Sequence, residues 1–492
     1  MKTNTLDFDA QALREKILDL AMRGKLVPQD PSDEPASVLL EKIKAEKEEL
    51  VKEKKIKKTK PLPEITDDEK PFDIPDSWEW VRLNDVGVWA AGATPSRRHP
   101  EYYGGNIPWL KTGDLNDGVV NETTEKITEL GVKNSSVKVN KPGNVLIAMY
   151  GATIGKLGIV GSQELVTNQA CCGCSLFDGV YNWYLFYYLL SSRKRLIDLG
   201  SGGAQPNISK NKIEKFTFPL PPLSEQSRIA AKIAQLFALL RKVETSTQQY
   251  AELQTLLKSK VLDLAMRGKL VKQDPNDEPA SVLLEKIKAE KAELVKEKKI
   301  KKSKPLPPIT DEEKPFDIPD SWEWVRLGDV TSAITKGTTP KGGKDAYIDK
   351  GIKFYRAENI KNYSITYKPI KYISSDINKN QLKRSQLKLN DLLITIAGTL
   401  GNVAIVKENN LPSNVNQAIA IVRLINRDSF NEEYLSYALS NQSSEIIKRK
   451  KTTSIPNLTL QQIAEAIIPI PPLSEQSRVI AKIAQLFSLL NV

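Results

Sequence analysis

The 492-residue chain contains the same segments twice, and this duplication restricts its possible folds more than any other feature. Lys16–Val86 returns as Lys260–Val330 at an offset of 244, with 8 differences over 71 positions. Pro219–Leu240 returns as Pro469–Leu490 at an offset of 250, with 4 differences over 22 positions. Near-identity over such lengths indicates one structural element used twice.

Between the repeated segments lie two segments of similar length and very different sequence, residues 88–218 and 331–468. Both predict mixed α/β structure. The runs NVLIAM at Asn144–Met149 and LLITI at Leu392–Ile396 are typical of buried strands, and Tyr181–Leu190 (YNWYLFYYLL) is typical of a buried helix. The chain therefore alternates repeated and variable segments.

Short motifs nevertheless recur in both variable segments. Gly92-x-Thr94-Pro95 matches Gly337-x-Thr339-Pro340, and Asn168-Gln169 matches Asn416-Gln417. We interpret the asparagine–glutamine pairs as structural, because they recur in two segments that otherwise differ. The shared motifs predict one fold with two different surfaces.

The repeated PPLSEQSR motif predicts the start of a helix, with prolines before it and Ser224 as its N-cap. The helix should run from about residue 224 to 266, roughly 65 Å at 1.5 Å per residue, before Gly268 ends it. Its apolar residues have heptad spacing, which predicts a coiled-coil seam. The seam consists of Ile229, Ile233, Leu236, Leu240 and Val243, with Val479, Ile483, Leu486 and Leu490 in the second copy. The alternative is a core helix inside one globular domain.

The two offsets place both chain ends on the same central element. Met1 matches Thr245 and Val492 matches Lys242, so the second copy is divided across its helix between the two termini. We hypothesise that the termini meet and rebuild this helix antiparallel to the central one. The predicted fold is α+β: two α/β domains joined by a long antiparallel coiled coil, with circular pseudo-two-fold symmetry.

Five segments follow from this organisation. They are a helical region (1–75), a first α/β domain (76–218), a central helical region (219–318), a second α/β domain (319–468) and a terminal helix (469–492). A further helix is expected near Ala36–Lys58, ending in KEKKIKKTK and repeated at Ala280–Lys302. Its lysines suit a solvated surface, phosphate contact or the docking of a partner.

Composition favours a polyanionic partner and argues against catalysis. The formal charge is +12, from 72 Lys and Arg against 60 Asp and Glu, which suggests nucleic acid. Gly151–Lys156 is one residue short of a phosphate-binding loop, and a single histidine argues against catalytic triads. Cys171-x-x-Cys174 lacks the second ligand pair of a structural zinc site, so reduced thiols and no metal are expected. The polar N-terminus and the absence of long apolar runs suggest a cytoplasmic protein.

The ordered motifs PLPPLSEQSRI, LAMRGKLV and IPDSWEWVRL around two variable segments closely resemble the specificity subunits of type I restriction-modification systems. The resemblance covers almost the whole chain. It implies that the variable segments are target recognition domains for a bipartite, asymmetric DNA site. It also implies two methyltransferase subunits using S-adenosylmethionine and ATP- and Mg-dependent restriction subunits, with no cofactor on this chain and no membrane partner.

Basic and amide side chains in the variable segments are the predicted DNA contacts, because arginine and glutamine suit guanine and adenine edges. In the first segment they are Arg97, Arg98, Lys111, Thr112, Lys156, Gln205, Lys210 and Lys212. In the second they are Lys336, Lys341, Lys344, Arg356, Arg449, Lys450, Lys451 and Thr453. Two alternatives remain open: a specificity subunit whose partner fuses methylation and cleavage, and a coiled-coil scaffold that binds proteins and not DNA.

Overall fold

The computed structural model describes residues 9–200, 207–361, 363–426, 430–449 and 457–490. The chain divides into two compact units, a first unit of Leu6–Gln248 and a second unit that contains Gln249–Val492. Each unit combines helices from the repeated segments with mixed sheet and helix from a variable segment, which confirms the predicted α+β class.

The first unit has three sheets among its described residues, with strand orders β2-β10-β7-β8-β4, β5-β3-β9-β6 and β1-β11. Strand β7 and helix α5 confirm the strand and helix predicted in the first variable segment. In chain order its elements are α1 (Ala10–Met22), α2 (Ala36–Lys52), β1 (Glu79–Arg82), α3 (Leu83–Val86), β2 (Gly87–Ala91), β3 (Tyr103–Leu110), β4 (Gly118–Val120), β5 (Glu125–Ile127), α4 (Glu129–Lys133), β6 (Val139–Asn140), β7 (Val145–Ala148), β8 (Leu157–Val160), β9 (Leu165–Thr167), β10 (Cys171–Leu176), α5 (Asn182–Ser191), α6 (Arg193–Gly200), α7 (Lys210–Lys215), β11 (Thr217–Leu220) and the start of α8 (Leu223–Met266).

The second unit repeats this plan, with strand orders β13-β21-β18-β19, β17-β14-β20, β12-β22 and β15-β16 among its described residues. Strand β18 confirms the strand predicted at LLITI. After the end of α8 its elements are α9 (Ala280–Lys296), β12 (Glu323–Arg326), β13 (Thr331–Lys336), β14 (Ile352–Tyr355), β15 (Ile360–Lys361), β16 (Ser364–Ile365), β17 (Lys371–Ile373), α10 (Ser375–Lys379), β18 (Leu392–Thr395), β19 (Val403–Ile405), β20 (Ser413–Val415), β21 (Ile419–Leu424), α11 (Glu432–Arg449), α12 (Leu460–Glu465), β22 (Ile467–Ile470) and α13 (Leu473–Leu490).

The repeated segments build the same core in both units. Strand β1 pairs antiparallel with β11, and β12 pairs in the same way with β22. The buried Trp78 ring meets Tyr184 edge-on with centroids 6.3 Å apart, and Trp322 meets Tyr434 at the same 6.3 Å. Large buried aromatic side chains dominate core energetics. The same strand pairing and the same tryptophan–tyrosine contact therefore occur in the core of each unit.

The long helix α8 is continuous over 44 residues, as its sequence predicted. In the first unit it runs antiparallel to the N-terminal segment, because Arg14 Nη1 donates to Glu244 Oε1 at 3.0 Å while Gln29 contacts Glu225 near the other end. In the second unit Gln254 donates to the carbonyl of Leu490, while Lys258, one turn later on α8, lies over the ring of the earlier residue Phe487. The antiparallel order of the shared helical segments is thus present within each unit.

The predicted seam positions are covered partly by the unit cores. Ile229, Ile233, Val479 and Ile483 are fully buried within these cores. Leu236, Leu240, Leu486 and Leu490 are half-buried, and Val243 is exposed. The alternative of a core helix therefore describes about the first three turns of each copy. The proposed meeting of the termini involves residues 1–8 and 491–492, which lie outside the described residues.

Helices α2 and α9 end earlier than the sequence suggested. They stop at Lys52 and Lys296, and not at residues 58 and 302. Lys54 and Lys298 have positive φ angles of 58° and 60°, a left-handed conformation that closes a helix C-terminus. The lysine runs therefore form turns, bends and irregular segments after the helices, and the predicted boundaries were wrong.

Candidate nucleic-acid interface

Close approach of two backbone segments at Gly92 explains one motif shared by the variable segments. The Gly92 amide donates to the Cys171 carbonyl at 3.0 Å, and Ala93 donates to Thr167 at 2.9 Å. A Cβ at residue 92 would lie 2.1 Å from the Thr167 carbonyl oxygen, far inside van der Waals contact. Glycine is required here by close backbone approach, and Gly337 repeats the arrangement against Asn416.

The glutamines of the shared Asn-Gln pairs bind the threonines of the Gly-x-Thr-Pro motifs. Thr94 Oγ1 donates to Gln169 Oε1, and Thr339 Oγ1 donates to Gln417 Oε1. All four side chains are exposed. The threonine and the glutamine stand at matching places in the two units, whose surfaces otherwise differ. Their recurrence in both variable segments was the signal that sequence reasoning could have used to locate this cross-link.

Arg97 and Lys111, two predicted DNA contacts, converge on one carboxylate. The Arg97 guanidinium lies 4.2 Å from the Tyr103 ring centroid and donates to Glu125 at 2.8 Å. Lys111 Nζ donates to the other oxygen of Glu125 at 2.7 Å. The hydrogen bond from Lys111, assisted by the one from Arg97, lowers the pKa of Glu125. Arg97 remains more than half exposed (57%), so a stacked, oriented guanidinium faces solvent beside exposed Arg98.

The other predicted contacts of the first unit lie in several environments. Thr112 and Lys156 are half-buried. Lys210 pairs with Glu214 at 2.7 Å, and Lys212 donates to the Leu199 carbonyl at 2.7 Å. Gln205 lies outside the described residues. Intramolecular partners therefore already orient both lysines at the start of α7.

In the second unit the predicted cations are more exposed. Lys336 ends β13, and Lys341 and Lys344 follow in an exposed loop where none of the described residues forms an ion pair with them. Arg356 instead contacts the carboxylate of Glu358. The remaining predicted contacts belong to one basic run: Arg449 ends α11, its side chain lying outside the described part, as do Lys450, Lys451 and Thr453.

A cluster of hydrogen bonds attaches the loop after α1 (residues 29–33) and Trp78 to the start of α8. We call this cluster the mount. Glu225 accepts a hydrogen bond from Trp78 Nε1 at 2.9 Å and one from Gln29 Nε2 at 2.5 Å. Burial raises the pKa of Glu225. Arg228 reinforces the mount through Asp33 at 2.6 Å. The second unit repeats these contacts around Glu475, so each unit has its own copy of this mount.

The described residues contain neither a metal-binding cluster nor an exposed thiol. No group of His, Cys, Asp and Glu there could hold a metal ion. The three cysteines are free and buried, and burial raises the pKa of Cys172 to about 12. Nor is any described helix long and apolar enough to cross a bilayer. The surfaces of the two units carry basic and amide side chains on loops that are held by hydrogen bonds and ion pairs. Such side chains suit contacts to phosphates and base edges.

Comparisons with known proteins agree with this organisation. Residues 75–255 and 319–491 match the family model described as the type I restriction modification DNA specificity domain. The chain is 34% identical to the type I restriction enzyme EcoAI specificity subunit of Escherichia coli, over 98% of this chain and 90% of that one. It is 32% identical to the EcoEI specificity subunit of the same organism, with the same coverage. A solved structure of a type I restriction-modification system has a TM-score of 0.56 at 21% identity, covering 85% of this chain and 92% of that one. The chain belongs to the family of type I restriction-modification specificity subunits.

Proposed function

We propose that this chain is the non-catalytic DNA-recognition subunit of a type I restriction-modification complex and that it reads a bipartite, asymmetric target. One observation carries the proposal: the two units share a core, a mount and the contact between the Gly-x-Thr-Pro and Asn-Gln motifs, while the side chains on their loops differ. Family membership supports the same conclusion. Two readers of this kind would recognise two different half-sites.

The difference between the two surfaces is chemical. The first unit presents Arg97 stacked on Tyr103 next to exposed Arg98. Directly after its own Gly-x-Thr-Pro motif, the second unit presents Lys341 and Lys344. A planar guanidinium makes bidentate contacts to guanine, whereas a lysine ammonium is a mobile point charge. These residues therefore support different base preferences in the two half-sites.

Affinity would come largely from phosphate neutralisation. The chain has a net charge of +12, and each neutralised phosphate contributes about 0.9 to the slope of log K against log salt. The segment boundaries given above, with target recognition domains at 76–218 and 319–468, remain part of this proposal. So do all the DNA contacts named from the sequence, including Gln205, Lys450, Lys451 and Thr453.

The partners follow from the same proposal. Two methyltransferase subunits would bring S-adenosylmethionine, restriction subunits would bring ATP and Mg, and this chain would hold them on its repeated helices. We place the complex in the cytoplasm, where it meets cellular and incoming DNA. A partner that fuses methylation and cleavage would leave the role of this chain unchanged.

The test is a map of methylated adenine in DNA from cells that co-express this chain with its cognate methyltransferase subunit. A single split motif, with modified adenines on opposite strands in its two halves, is expected. A variant carrying Arg97→Ala and Arg98→Ala should relax only one half, and one carrying Lys341→Ala and Lys344→Ala only the other. An active methyltransferase in a stable complex that yields no motif would refute DNA recognition and favour a protein scaffold.

A further inference from the structure

The first unit contains an open pocket of about 520 Å³ between α5, α8 and β4. Its apolar lining includes Trp183, Phe186, Tyr187, Leu190 and Phe237. A volume of this size is typical of sites that accept a ligand or a large side chain. The pocket lies beside the mount and not among the predicted DNA contacts.

The lining aromatic rings hold one another in place. The Trp183 ring lies 5.3 Å from Phe186 and 5.7 Å from Tyr187, and Tyr187 meets Phe237 edge-on at 6.0 Å. Phe186 and Tyr187 are almost fully buried, whereas Trp183 and Leu190 are half-buried. The pocket therefore has a rigid floor and an accessible apolar wall.

The second unit keeps part of this floor. Tyr437 and Phe487 stand where the first unit has Tyr187 and Phe237, whereas Glu433 and Ser436 replace Trp183 and Phe186. Tyr434 OH donates to the Pro469 carbonyl at 2.9 Å, as Tyr184 OH does to Pro219 at 3.0 Å. The Tyr437–Phe487 pair has a centroid distance of 6.1 Å and an interplanar angle of 86°, against 6.0 Å and 81° for the corresponding pair in the first unit. The two sites are therefore comparable position by position.

In the second unit a tyrosine of the chain itself covers this floor. The Tyr363 ring packs edge-on against the Tyr437 ring, with the ring centroids 4.5 Å apart. The Tyr363 hydroxyl donates to Ser440 Oγ at 3.4 Å. Tyr363 forms a parallel bridge with Ala404, which lies on β19 next to the central strand β18.

The residue at the corresponding place in the first unit is Gly118. It forms a parallel pair with Gly158, which lies on β8 next to the central strand β7. Leu190 stands where the second unit has Ser440, the residue that binds the tyrosine hydroxyl. The first unit therefore lacks the internal tyrosine and has a more apolar wall in its place.

The rim of the pocket carries a basic group. Asp117 is paired with Arg193, and Arg14 is paired with Glu244. Arg241 also lines the rim and is exposed, and none of the described residues forms an ion pair with it. An occupant with a carboxylate next to its apolar group would therefore be favoured over one with a second cation.

We propose that this pocket receives an aromatic side chain of the methyltransferase subunit, flanked by an acidic residue, in the place that Tyr363 occupies in the second unit. The inference rests on the proposed function, which supplies that partner. The occupant is taken to be a protein aromatic group because one already fills the matching site. The two units would thus bind their partners differently, because the pocket of the first unit is open and the matching site of the second unit is filled by Tyr363.

The test is Gly118→Tyr, which gives the first unit the residue of the second. A Cβ at residue 118 would meet only Asn116 Oδ1, at 3.5 Å, so a side chain can start from this position without a clash at its Cβ. Titration of purified methyltransferase subunit into the full chain should become biphasic, with one binding event about 30-fold weaker, the effect of losing a 2 kcal/mol aromatic hot spot. Gly118→Ala, which adds a Cβ without filling the pocket, should bind like the wild type.

A second variant covers the case in which Gly118→Tyr lowers the melting temperature. Trp183→Glu with Leu190→Ser gives the pocket wall the residues of the second unit and should weaken the same binding event. Unchanged association of a folded variant of either kind would overturn the inference. The methylation motif of the wild-type complex is determined in parallel. If the motif is present and the variants associate unchanged, only the proposed binding at the pocket is refuted. If the motif is absent, the proposed function is refuted.

Discussion

Replacing Glu69 by glutamine should destabilise the first unit measurably, because this carboxylate neutralises a buried arginine. The Arg82 side chain is only 8% exposed. Its guanidinium donates to both oxygens of Glu69, at 2.6 and 2.8 Å, and to the Lys215 carbonyl at 2.7 Å. Arg82 therefore connects the loop after the lysine run to the end of α7. Glutamine keeps the shape of the partner but removes its charge and turns one acceptor into a donor.

The magnitude follows from the proton affinity of Glu69. Hydrogen bonding to Arg82 is the main cause that lowers the pKa of Glu69 from 4.5 to about 2. At about 1.4 kcal/mol per pKa unit, the upper bound on the pairing free energy is roughly 3.4 kcal/mol. The carboxylate is 36% exposed, so solvent screening reduces this by about half. The expected loss of unfolding free energy at pH 7 is therefore about 1.5–2 kcal/mol.

The pH dependence gives the sign of the effect. A lowered folded-state pKa stabilises the protein above the unfolded-state value of 4.5, and this stabilisation is lost as the pH falls towards 2. The free-energy difference between wild type and Glu69→Gln should thus be complete at pH 7 and fall by more than half at pH 3. Hydrogen-exchange mass spectrometry in urea, read on peptides from β1 and β11, measures it within the first unit.

Two control variants make the test specific. Asp67→Asn removes a carboxylate that is almost fully exposed and should leave these peptides unchanged. Glu313→Gln removes the matching partner of Arg326 in the second unit and should affect peptides from β12 and β22 instead. A Glu69→Gln protein within 0.5 kcal/mol of wild type at pH 7, or with the same deficit at pH 7 and pH 3, would refute the reasoning.

Three further outcomes are expected. Gly92→Ala should lower the affinity for split-site DNA at least tenfold and destabilise its unit by about 3 kcal/mol, from overpacking and displaced backbone hydrogen bonds; Gly113→Ala, where a Cβ meets nothing within 4 Å, is the matched control for fluorescence-anisotropy titrations. Replacing Lys341 and Lys344 together by alanine should reduce the salt slope of DNA binding by about 2, and an unchanged slope would exclude phosphate contact. Cys172, with its pKa raised to about 12 by burial, should resist iodoacetamide at pH 8 until urea is added; rapid labelling of the native protein, seen by mass spectrometry, would contradict its burial.

The amino-acid sequence by itself determined the duplicated plan and several of the regular elements. The heptad spacing after PPLSEQSR predicted the long helix α8, and apolar runs such as NVLIAM predicted buried strands, because period and burial are local properties of the chain. The motifs of the repeated segments also determined the family. Helix ends were less predictable: nothing in KEKKIKKTK marks Lys54 as the residue with a left-handed backbone.

Only the tertiary structure decided which side chains meet. Arg97 and Lys111 share Glu125, and Arg82 reaches the Lys215 carbonyl 133 residues away, because sheet pairing brings distant segments together. The same holds for the two matching sites on α5 and α11. The sequence shows a glycine at 118 and a tyrosine at 363, but whether they face the same floor depends on strands pairing at equivalent places. Such pairings arise from the free energy of the whole fold, to which no local pattern corresponds.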